Sequence, residues 1–113
     1  MRSCLLFALL LAACSKGPEA DLATIGEARS LGAEWALVNE QAAKGQVTAT
    51  YVRSMRKQVR EQLQTAFDAL TNPDSRYGRQ IHALLAEPDN VPPEELRFHA
   101  AQLKSVEDSL EST

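Results

Sequence analysis

The chain has 113 residues, 44% apolar and 24% charged, with a formal net charge of −3, the make-up of one small globular domain. It carries no clustered basic excess to grip a phosphate backbone. With one Trp, two Tyr and three Phe it offers no platform on which single-stranded bases stack, so both features argue against nucleic acid as a partner.

The chain opens with MRSCLLFALLLAAC. Arg2 places a positive charge near the start, Leu5 to Leu11 is an unbroken apolar run, and the small residues Ala12 and Ala13 follow. A charge, a short apolar core and a small-residue cleavage site make a secretory signal peptide. The run is too short for a membrane-spanning helix, which needs roughly 20 apolar residues.

Leu11-Ala12-Ala13-Cys14 resembles the lipobox of bacterial lipoproteins. The resemblance covers the first fourteen residues and concerns address and anchor, not the domain behind them. It implies cleavage before Cys14, a diacylglycerol on its sulfur and an acyl chain on the new amino group. Each buried methylene adds about 0.8 kcal/mol to membrane binding, so two or three chains on one residue hold a small domain durably. The absence of aspartate at Ser15 favours the outer membrane over the inner in lipoproteins of the enterobacterial type. Cys4 would leave with the signal peptide, and the mature chain would then hold no thiol for a disulfide or a metal. The expected organisation is a signal peptide at 1–13, acylated cysteine and tether at 14–20, and a helical domain at 21–113.

The mature part has helical periodicity throughout. Leu22, Ile25, Ala28, Gly32, Trp35, Val38 and Ala42 recur at steps of three and four, with Leu31 and Leu37 broadening the stripe. Gly45 after Lys44 marks a helix stop. Val52, Met55, Val59, Leu63, Ala66 and Leu70 form a second stripe, with Thr48 or Thr50 as its cap. Trp35 is expected as a core anchor and Met55 as a core filler. Asn72-Pro73 is expected to end that helix and start the next, since Pro is at home in a first helical turn. The third helix carries Tyr77, Ile81, Leu84 and Leu85, and Gly78 weakens it by about 1 kcal/mol. Glu87-Pro88-Asp89-Asn90 is a loop. Pro92-Pro93-Glu94-Glu95 opens a last helix striped by Leu96, Ala100, Leu103, Val106 or Glu107, and Leu110, with a polar tail expected to fray. The pattern predicts an all-α fold: a small up-down bundle of three to four helices, the third helix either packed in the core or serving as a connector.

Little in the sequence carries chemistry. His82 and His99 are 17 residues apart, unlike paired zinc-binding histidines one helical turn from each other. No nucleophile motif or phosphate loop is present. Glu94-Glu95 and Glu107-Asp108 are adjacent in helices and so point apart, which rules them out as proton-sharing dyads. Neither enzymatic activity nor a cofactor is expected. The one suggestive constellation is Arg53, Arg56, Lys57 and Arg60, a basic stripe at i, i+3, i+4 and i+7. It suits anionic headgroups or an acidic partner, or else is a solvated face balanced by Glu27, Glu34 or the acids of the last helix. The function expected is a non-catalytic interaction module held at the membrane through Cys14 and contacting an envelope protein. The alternative is a structural or stress-related lipoprotein contacting lipid or cell wall. The carboxy-terminal Glu-Ser-Thr lacks the lysine that lipoproteins linked covalently to peptidoglycan use.

Overall fold

The computed structural model describes residues 17–112. The signal-peptide segment 1–13, Cys4, Cys14, the first residues of the tether and Thr113 lie outside the described residues. A 3-10 turn, Pro18–Asp21, leads into four helices: α1 Leu22–Ala43, α2 Ala49–Asp68, α3 Arg76–Leu85 and α4 Pro93–Glu111. They run up, down, up and down. α1 packs chiefly on α4 and α2, while α3 bridges α2 and α4.

The helix boundaries have local causes. α1 ends in a Schellman motif: Gln46 N–H donates to the Gln41 carbonyl and Gly45 N–H to the Ala42 carbonyl. This puts Gly45 at φ +66°, a conformation that costs glycine little. Thr48 caps α2 by accepting from the Tyr51 amide at 3.1 Å. Pro92 and Pro93 open α4, with Glu94 and Glu95 in its first turn, where the helix dipole favours acids. α4 runs through Glu111, with Ser112 as its C-cap.

The start of α3 differs from the sequence-based expectation. The helix begins at Arg76, capped by Ser75, which accepts from the Gly78 amide at 3.1 Å. Asn72-Pro73 belongs to the loop before it. The reason is Asp21. Its buried carboxylate accepts from the Thr71 amide at 2.7 Å, the Asn72 amide at 3.0 Å and the Tyr77 hydroxyl, which draws the post-α2 backbone off a helical path. Burial alone would raise the Asp21 pKa, but the bonds from Tyr77, Thr71 and Asn72 outweigh it and hold the carboxyl below its ordinary 3.8. Burial and the bond to Asp21 push the Tyr77 phenol above its ordinary 10.0. The same loop explains Gly78: a Cβ there would lie 2.1 Å from the Pro73 carbonyl oxygen.

The core joins all four helices through Ile25, Ala28, Leu31 and Trp35 of α1, Val59 and Leu63 of α2, Tyr77, Ile81 and Leu84 of α3, and Leu96 and Leu103 of α4. α3 is therefore a core helix and not a connector. Each fully buried Leu or Ile stabilises by about 1.5–3 kcal/mol relative to exposure. Leu37 does not join the stripe it was expected to broaden, being 49% exposed, because the turn that points Trp35 inward points Leu37 away. Trp35 is fully buried, as expected of a core anchor, whereas Met55 is only half-buried.

Candidate functional site

The basic stripe lies on the α2 surface that meets the α3–α4 connection, and the structure divides its four members. Arg60 is a structural clamp. Its Nη1 donates to the Leu85 carbonyl at 3.0 Å, its Nη2 to the Glu87 carbonyl, and its Nε to Asp89 Oδ1 at 2.6 Å. Leu85 ends α3, so a cation sits where the unsatisfied carbonyls of a helix terminus need one. The guanidinium also stacks 4.8 Å from the Trp35 ring centroid, a cation–π contact.

Arg56 is half-tied. Its Nε donates to Asn39 Oδ1 at 2.9 Å, and its two Nη groups make no hydrogen bond with the described residues. Asn39 is buried, and its Nδ2 donates to the Asp89 carbonyl at 3.0 Å and the Val91 carbonyl at 2.8 Å. The Trp35 indole N–H reaches the same Asp89 carbonyl at 3.1 Å. A chain of bonds thus runs from the loop backbone through Asn39 to one edge of Arg56 and fixes the plane of its fork.

Arg53 and Lys57 are exposed. Lys57 lies 4.0 Å from Glu61, a surface pair of small energy, and Arg53 has no partner among the described residues. Together Arg53, Arg56, Lys57, Arg60, Glu61 and Asp89 line a groove of about 300 Å³. The balancing acids are Glu61 and Asp89. Glu27 and Glu34, named from the sequence for that task, stand exposed on α1 without an ion pair to the stripe.

The remaining sequence-level candidates do not converge. His82 is exposed with its ring 5.6 Å from Phe67. His99 lies between Gln80 Nε2 at 2.7 Å and Glu87 Oε2 at 3.2 Å. Among the described residues no group of three or more His, Cys, Asp or Glu is placed to hold a metal ion. Glu107 pairs with Arg29 at 2.7 Å and Asp108 with Lys104 at 2.9 Å, so these adjacent acids do point apart. No described helix is long and apolar enough to cross a membrane.

Sequence reasoning missed Asp21 and Asn39, which hold the two loop ends of the bundle. Asn39 had a signal: it stands four residues after Trp35 on the buried face of an amphipathic helix, where a polar residue calls for a partner. Asp21 had none, since an acid directly before a helix has a sufficient local explanation as a cap. Compared with known proteins, the chain has no significant match to any family model, curated protein or solved structure.

Proposed function

We propose that the chain is a lipid-anchored bundle of the bacterial envelope that works without catalysis, holding or modulating an envelope protein at the membrane surface. The observation that carries the anchor is Leu11-Ala12-Ala13-Cys14, three residues before the first described residue. Ser15 in place of aspartate favours the outer membrane. The fold is compatible with loss of the first thirteen residues: its core cluster runs from Ile25 to Leu103 and its loop-holding bonds use Asp21 and Asn39. Among the described residues every buried side-chain nitrogen and oxygen has a partner, so the interior of the bundle is closed by its own contacts. The groove beside α2 is the surface offered to the partner. Confinement to a membrane raises the effective concentration toward anchored partners without any new contact.

The test of the anchor is growth with a clickable palmitate analogue, followed by fractionation. The wild type is expected to take up label and sediment with membranes. Cys14→Ala is expected to lose the label and either stay uncleaved or leave the membrane fraction. An unlabelled wild type, or a Cys14→Ala chain processed and fractionated like the wild type, overturns the reading.

A further inference from the structure

We propose that the α2 groove is a carboxylate seat, which takes an acidic segment of a protein partner. The inference rests on the reading above and names the chemistry of the partner it invokes.

The first ground is preorganisation. A guanidinium recognises a carboxylate best as a planar fork, with two parallel N–H donors. Arg56 is held by one edge, through Nε to Asn39, whose own amide is anchored to the loop carbonyls of Asp89 and Val91. Its two Nη groups are left without a hydrogen bond to the described residues. Holding the fork in place before binding lowers the ordering cost of the complex. Arg53 and Lys57 flank it at the neighbouring positions of the same helix face, both exposed.

The second ground is the amount of charge. Anionic bilayers are bound by clusters of about four to eight free cations. Here Arg60 spends all three donor nitrogens on Leu85, Glu87 and Asp89. Glu61 and Asp89 share the lining, so four cations against two carboxylates leave a net charge of about +2. That is little for a membrane surface, and it matches one or two carboxylates on an extended peptide.

The third ground is position. The chain enters the bundle beside Thr71 and Asn72, where Asp21 is bonded. At 1.5 Å per residue, Arg56 stands roughly 20 Å up α2 from that end. The groove therefore lies away from the end at which the anchored chain enters the bundle, and the tether does not cover it.

The experiment is fluorescence anisotropy of a fluorescein-labelled, glutamate-rich decapeptide titrated with the full chain in non-ionic detergent at low salt. Inorganic phosphate and soluble dihexanoyl phosphatidylglycerol serve as competitors. The peptide is expected to bind the wild type. Arg53→Glu/Lys57→Glu should weaken binding by about tenfold or more, since like charges now face the ligand. Arg56→Lys, which keeps the charge and loses the fork, should weaken it several-fold. Both exchanged residues of the double variant are exposed, so its melting temperature should match the wild type and exclude misfolding as the cause. Neither competitor should displace the peptide at equal concentration. Failure of the peptide to bind, equal binding by the double variant, or displacement by phosphatidylglycerol at or below the peptide's own concentration overturns the proposal, the last in favour of a lipid surface. The palmitate experiment is separate: a chain that binds the peptide but takes up no label keeps the groove and loses the anchor, and the converse loses the groove alone.

Discussion

Replacing Asp21 by Asn tests the polar closure at the lower end of the bundle. The carboxylate accepts from the Thr71 and Asn72 amides and the Tyr77 hydroxyl in a buried site. An amide of the same shape keeps one acceptor oxygen and turns the other side into a donor facing donors. Bonds to a charged acceptor contribute about 1.5–3 kcal/mol each, and a buried donor left unpaired costs about 1–3 kcal/mol. With one or two such bonds lost and a donor turned toward donors, the expected cost is about 2–4 kcal/mol. A domain of this size has about 5–14 kcal/mol in total, and each kilocalorie shifts its Tm by about 4–8 °C. The variant should therefore melt about 10–25 °C below the wild type at pH 7, followed by circular dichroism at 222 nm. The pH dependence is the sharper check. The folded-state pKa of Asp21 lies below the unfolded value near 3.8. Its contribution is thus fully present above about pH 4 and is lost as pH falls through the depressed folded value. The gap between wild type and Asp21→Asn should narrow as pH falls below the unfolded value near 3.8. A variant that melts within a degree or two of wild type, or a gap that does not narrow in acid, refutes the reasoning.

Two further outcomes follow from the geometry. Arg60→Met keeps aliphatic bulk over Trp35 but removes the donors to Leu85, Glu87 and Asp89; with the side chain 30% exposed, the expected loss is about 1–2 kcal/mol, together with a shift in the emission of the single tryptophan, and an unchanged urea midpoint and spectrum would remove Arg60 from the clamp. Gly78→Ala, which in an open helix would stabilise by up to about 1 kcal/mol, should instead destabilise by about 1–3 kcal/mol because its Cβ meets the Pro73 carbonyl; a raised urea midpoint would show that the loop yields.

The four-helix pattern was legible because it rests on periodicity and local stops. Val59, Leu63, Leu96 and Leu103 are buried where their spacing puts them, and Gly45 and Thr48 act within one turn of their own positions. What escaped were bonds between residues about fifty positions apart. Asp21 stands where a cap would, yet makes no side-chain cap bond and reaches across to the α2–α3 loop. That long-range pull moved the start of α3 from Pro73 to Arg76, against the local preference of an Asn-Pro pair. For the basic stripe, spacing alone placed the residues on one face. It could not separate Arg60, consumed by carbonyls 25 and 27 residues later at the end of α3 and just beyond it, from Arg53, which has no partner among the described residues. Leu37 shows the converse limit, since hydrophobicity identified a residue able to be buried that the packing leaves outside.

Apolar stripes at steps of three and four are nearly self-similar under a slide of one helical turn, about 5.4 Å. A bundle held by such stripes alone would have neighbouring alignments of comparable energy. Asp21 at one end and Asn39 with Trp35 at the other bond to particular loop amides and carbonyls, and a one-turn slip would leave these buried groups unmatched at both ends at once. In this chain the oily interior provides cohesion, and the polar fastenings at the two ends select a single alignment from the ladder of shifted ones.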